Sequence, residues 1–194
     1  MNESKQGPNI LPSSIIEATL DVWRKVGSQH TIRVAGRSML PLIQDGDSVR
    51  IVHDVSSVRQ GDIVVFRYGG QLIAHRVMRV HNEPPVVMFM TKGDNTVSFD
   101  APVRADQVIG RVSALQKGDR YIVLDTLAWR VAGRLVAIAS LTMATPFNWT
   151  RVLLRHVFDE PPNWLTTAVR SSGRANRTLL FRLAYAVTKC HQER

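Results

Sequence analysis

Polar and apolar positions follow two rhythms along the chain. From Thr31 to Leu124, short runs between turn residues are apolar or alternate apolar with polar positions, as strands do, with a period of two around Ile32, Ile51 and His75. Ile32 and Val34 lead into Gly36, and Val49, Ile51 and His53 share a face. Ile63 to Tyr68 runs into a Gly69-Gly70 hairpin signal, from which Gln71 to His81 returns. Val86 to Met90, Val108 to Leu115 and Tyr121 to Leu124 complete about seven short strands separated by Gly, Pro and Asp turns. This pattern predicts a compact, mainly antiparallel β domain over residues 30–124.

Helical spacing takes over on either side. Ser14 and Glu17 have capping-box spacing, and Ile16, Leu20 and Trp23 recur on one face until Gly27, which predicts an amphipathic helix within residues 1–29. Beyond Asp125, Leu127, Val131, Leu135 and Ile138 continue a helical stripe from Leu124, with Arg130 and Arg134 on another face. Trp149 to Phe158 and Ala175 to Lys189 predict two further basic amphipathic helices, set apart by Asp159-Glu160-Pro161-Pro162 and Ser171-Ser172-Gly173. Residues 125–194 thus form a basic helical extension.

At 194 residues, 44% hydrophobic and 21% charged, the chain has room for one domain with a full core and a smaller addition. Its net charge of +9 is unevenly spread: fifteen Lys and Arg stand against twelve Asp and Glu in residues 1–120, and ten against four in residues 121–194. A basic C-terminal part suits anionic headgroups, nucleic acid or an acidic partner. Only one helix precedes the β domain, whereas a helix-turn-helix reader needs at least two, so a nucleic-acid partner is not expected. The single cysteine, Cys190, excludes a disulfide framework and a multi-cysteine zinc site, and no cofactor is expected. The N-terminus lacks a basic start followed by an apolar core. The stretch Leu135 to Thr150, broken by Pro146 and Asn148, is too short and polar to cross a bilayer. A cytoplasmic protein is expected, in peripheral contact with anionic membrane through its C-terminal helices.

Candidate chemistry gathers in the β domain. Gly36 permits a tight or left-handed turn, which sets Ser38 just off a strand end, a suitable place for a nucleophile if a base can reach it. By the period of two, His75 shares a face with Ile73 and Val77 while Arg76 points to the other face. Burial there disfavours imidazolium and leaves a ring able to accept a proton. A carboxylate on the far ring nitrogen would fix the tautomer. Asp94 and Asp100 are both candidates, and spacing alone permits either.

The ordered motifs G-x-S-M-x-P from Gly36, G-D-x-V-V-F from Gly61, H-R-V from His75, T-K-G-D-N from Thr91, Asp100 and G-R-V from Gly110 resemble signal peptidase I. The match is to the archaeal and endoplasmic-reticulum type, in which histidine replaces the lysine of the common bacterial type, within a clan that includes self-cleaving repressor domains. It covers about residues 32–113. The resemblance implies a β-rich core of coiled antiparallel sheets, with Ser38 as nucleophile, His75 as base, Asp100 orienting the histidine and Asp94 in support. It also implies that the Ser38 N–H holds the oxyanion, that Gly36 and Met39 border the substrate, and that a small residue precedes the cleaved bond. Two departures stand out. A helix without membrane-spanning character precedes the serine box, and Gly36 occupies the place where many membrane-bound relatives carry a hydroxyl that helps hold the oxyanion. The reading is a serine endopeptidase that removes a signal or leader segment from a precursor. The competing reading is a non-catalytic peptide-binding or regulatory module on the same fold.

Overall fold

The computed structural model describes residues 29–84 and 86–157, together with the single positions Val22 and Arg182, and describes side chains as far as residue 142. Apart from Val22 and Arg182, the helices expected from Ser14 up to Gly27 and over Ala175 to Lys189 lie outside the described residues. Among the described residues, eight strands form one antiparallel sheet: β1 (His30–Arg33), β2 (Ser48–Val52), β3 (Ile63–Tyr68), β4 (Gln71–Glu83), β5 (Val86–Lys92), β6 (Val103–Arg104), β7 (Val108–Lys117) and β8 (Arg120–Val123). Their spatial order is β1-β2-β7-β3-β4-β5-β6, and β8 pairs with the Ala114–Lys117 end of β7 off this path. The helix α1 spans Leu127–Val157. The mainly β architecture is the one the alternation predicts.

The sheet is covered on both faces, and β3 records this most plainly. Ile63, Val64, Val65 and Phe66 are consecutive and almost fully buried, so both sides of the pleat meet apolar atoms. Ile63 and Val65 join Val49, Ile51, Ile109 and Leu115 in a core closed from outside by Trp129, Ala132 and Val136 of α1. Val64 and Phe66 pack on the other side with Val77, Phe89, Val103 and Val108.

Two features differ from the sequence expectation. β6 is only two residues long, too short to carry an alternation. α1 runs unbroken through Pro146 and Asn148, where the chain was expected to divide before a separate Trp149–Phe158 helix. The close seating of α1 has a backbone cause. Gly61, at φ +96°, lies so near Gly133 that a Cβ on Gly133 would stand 2.6 Å from the Gly61 carbonyl oxygen, and a Cβ on Gly61 would overlap the Arg134 amide.

Candidate active site

The serine turn bridges β1 and β2 and is pinned from both ends. Gly36 takes φ +101° and donates its N–H to Asp45 Oδ1 at 2.8 Å. Val34 donates to the Asp47 carbonyl at 2.7 Å, and Gly46 donates back to the Val34 carbonyl at 2.9 Å. Asp47 Oδ2 accepts from the Gln44 N–H at 2.7 Å and faces Lys117 Nζ at 3.1 Å. Beneath the turn, Met39, Leu42 and Ile43 enter the main core, so the segment is clamped by apolar burial below and hydrogen bonds above. Ser38 remains half-buried on its rim, whereas Met39, expected to border the substrate, is 2% exposed.

β4 supplies the histidine. His75 is buried beside Phe66, with ring centroids 6.2 Å apart, on the face that alternation assigns to it. Its Nδ1 lies 2.7 Å from Asp100 Oδ2. The same oxygen accepts the Thr91 hydroxyl at 2.7 Å, and the Asp100 N–H donates to the Thr91 carbonyl at 3.0 Å, so one fully buried threonine on β5 fixes both ends of the aspartate. With Nδ1 engaged, Nε2 is the ring atom left to meet other groups.

Nε2 and the serine turn both lie against Gly93. A Cβ placed on Gly93 would stand 3.1 Å from His75 Nε2 and 2.7 Å from the Ser38 carbonyl oxygen. The missing side chain is what allows the two segments to approach. Asn95 completes the join, its N–H donating to the Ser38 carbonyl at 2.7 Å and its Nδ2 to the Arg37 carbonyl at 3.1 Å.

Asp94 leaves the same turn in the other direction. It is fully buried and receives a two-pronged contact from Arg76, Nε to Oδ1 at 2.8 Å and Nη2 to Oδ2 at 2.7 Å. Arg76 Nη1 also donates to the Gly61 carbonyl at 2.7 Å. Of the two aspartates left open by spacing, Asp100 therefore meets His75 and Asp94 meets Arg76. Sequence reasoning assigned no partner to Arg76 and no part to Thr91 or Asn95. The available signal was Arg76 itself: on a strand flanked by apolar residues it required a buried carboxylate.

Ionisation is perturbed near the base of α1. The Asp62 carboxyl is pushed above the ordinary aspartate range, chiefly by burial, against the opposing pull of the Arg59 N–H and the Arg111 and Arg130 guanidiniums. Arg111 forks onto Asp125, which strengthens its hold on its proton even though burial works the other way.

Fold and site together define a peptidase-like β domain in which a serine turn faces a histidine–aspartate pair. The profile described as Peptidase S24-like matches residues 5–112, more than half of the chain, and the chain belongs to that family. It is also similar to the signal peptidase complex catalytic subunit SEC11 of Scheffersomyces stipitis, at 33% identity over 86 residues, covering 41% of this chain and 52% of that protein. The corresponding subunit of Dictyostelium discoideum is 28% identical over 137 residues, covering 66% and 70%. That of Candida dubliniensis is 34% identical over 89 residues, covering 45% and 53%. The chain spans about half the length of the yeast relatives it matches. The resemblance to the signal-peptidase clan read from the ordered motifs is borne out. No helix among the described residues is long and apolar enough to cross a membrane.

Proposed function

We propose that the chain is a serine endopeptidase of the signal-peptidase kind, acting on a precursor with a small residue before the cleaved bond. The observation that carries this reading is the 2.7 Å contact of His75 Nδ1 with Asp100, with Nε2 and the Ser38 carbonyl both lying against Gly93. Ser38 Oγ attacks the scissile carbonyl carbon while its proton passes to His75 Nε2. The tetrahedral oxyanion is held by the Ser38 N–H. Collapse breaks the C–N bond and returns the proton from His75 to the leaving amine. Water, deprotonated by His75, then releases the acyl group and restores Ser38. Asp100 holds the ring tautomer and stabilises imidazolium, and Asp94 supports the turn by its pairing with Arg76. Gly36 serves the substrate from the exposed edge of the serine turn, while Met39 anchors that turn in the core. Residues 30–124 make up the catalytic domain, between an N-terminal helical segment and the basic extension, in a cytoplasmic protein.

Labelling of the purified protein with a serine-directed acylating probe, followed by mass mapping, tests the proposal. Acylation at Ser38 that disappears in Ser38→Ala and His75→Ala is the expected result. Acylation of Ser38 that is indifferent to His75, in folded protein, would overturn the assigned base.

A further inference from the structure

α1 turns small side chains inward and large ones outward. Ala132, Gly133, Val136, Ala137 and Ser140 are buried, with Trp129 at the inner end. Leu127, Val131, Leu135 and Ile138 are 79%, 50%, 45% and 41% exposed. At the helical repeat these four fall within one stripe roughly 80° wide. Arg130 and Arg134, both exposed, border it on one side, and Arg130 Nη2 also stands 3.7 Å from Asp125. The sequence of α1 holds Arg130, Arg134, Arg151 and Arg155, with no Asp or Glu from Leu127 to Val157.

Those observations restrict what covers the stripe. A solvated face has no use for four large aliphatic residues in register. A second copy would bring two acid-free arginine helices together, with like charges opposed. A surface that is apolar below and anionic above satisfies both the stripe and its arginine border, and a bilayer rich in acidic headgroups has that layering.

We propose that the outward face of α1 docks on an anionic bilayer surface, with Leu127, Val131, Leu135 and Ile138 entering the acyl boundary and Arg130 and Arg134 meeting headgroup anions. The helix lies in the interface plane. The proposal does not depend on the peptidase reading, because Ser38 and His75 take no part in it.

The test is flotation of the full chain with vesicles of phosphatidylcholine alone and of phosphatidylcholine with about one third phosphatidylglycerol, at low and high salt. Wild type is expected to bind the anionic vesicles at least tenfold more strongly, and less so as salt rises. Arg130→Gln/Arg134→Gln should weaken binding about 30-fold at low salt. Val131→Glu/Leu135→Glu should abolish it while melting with wild type, because both positions are exposed. Ser38→Ala should float like wild type, which separates this outcome from any failure of the catalytic reading. Absence of wild-type flotation, or equal flotation of both double variants and wild type, overturns the proposal. So does a dimer in light scattering that Val131→Glu/Leu135→Glu dissociates, which would assign the face to a second copy. A fall in melting temperature for that variant with unchanged flotation would assign the face to residues 1–28 or 158–194 of the same chain.

Discussion

The Arg76–Asp94 pair gives the sharpest quantitative test of the site's construction. Arg76 is 2% exposed and Asp94 fully buried, so neither charge is shared with water. Their two-pronged contact, with the Gly61 carbonyl on the third guanidinium nitrogen, compensates for that desolvation. Asp94→Ala removes the partner and strands a guanidinium that cannot lose its proton. Breaking a buried pair in this way costs about 3–5 kcal/mol. For a chain of this size that corresponds to a fall in melting temperature of roughly 6–20 °C, readable by circular dichroism at pH 7. Arg76→Met/Asp94→Leu removes both charges and should recover most of the loss, since an apolar replacement of a buried pair is often neutral. Its serine acylation should nevertheless stay low, because the turn that hands Asn95 to the Ser38 carbonyl no longer has its anchor. A change in melting temperature below about 2 °C for Asp94→Ala would refute the reasoning, since a stranded buried guanidinium cannot be that inexpensive.

Other positions give smaller and more local effects. Thr91→Val keeps the buried shape but removes the hydroxyl from Asp100; folding should change by about 1 kcal/mol while the rate of Ser38 acylation falls about tenfold, and equal rates would remove Thr91 from the positioning chain. Gly93→Ala puts a methyl 2.7 Å from the Ser38 carbonyl and 3.1 Å from His75 Nε2, so acylation should fall at least tenfold in protein that still melts cooperatively. Asp62 predicts a pH effect outside the catalytic group. Its carboxyl is raised by burial, so the folded state binds more protons than the unfolded state above the ordinary aspartate value, and stability falls as pH rises through that window. Asp62→Asn should flatten that part of a urea-unfolding profile measured from pH 4 to 7, and an unchanged profile would contradict the assignment.

How far the sequence could be read depended on how local each cause is. Short apolar or alternating runs bounded by turn residues placed β1 to β5, β7 and β8, and the period of two set His75 and Arg76 on opposite faces of β4. β6 escaped, since Val103–Arg104 is set by pairing with Met88 and Phe89 rather than by its own pattern. The aspartates could not be separated because they follow the same strand. Asp94 passes to Arg76 and Asp100 folds back onto Thr91, and those partners become neighbours only when β4 and β5 pair. Met39 illustrates the opposite case: the resemblance implied a residue bordering the substrate, but the turn directs it into the core. In α1 the large residues catch the eye, yet close approach to Gly61 demands small ones, so Ala132, Gly133 and Ala137 form the docking face.

The inner face of α1 makes the start of the extension part of the β domain's core. Trp129, Ala132 and Val136 belong to the core that contains Met39, Leu42 and Ile43 from the serine turn. A Cβ on Gly133 would stand 3.0 Å from Arg76 Nη1, so the helix also rests against the guanidinium that holds Asp94. A chain ending at Asp125 would uncover Trp129's neighbours and the Arg76 fork together. Loss of the Trp129 and Val136 burial alone would remove roughly 3–6 kcal/mol, comparable with the whole margin of many domains. Such a chain is expected to melt well below wild type and to lose Ser38 acylation, even though every residue from Ser38 to Asp100 is retained. Its failure to bind lipid would then say nothing about the outward face of α1. The two roles separate only in point variants: changes at Val131 and Leu135 should affect lipid binding and spare acylation, and changes at Gly133 should do the reverse. A truncated chain that kept wild-type melting and acylation would show that α1 contributes neither core nor alignment.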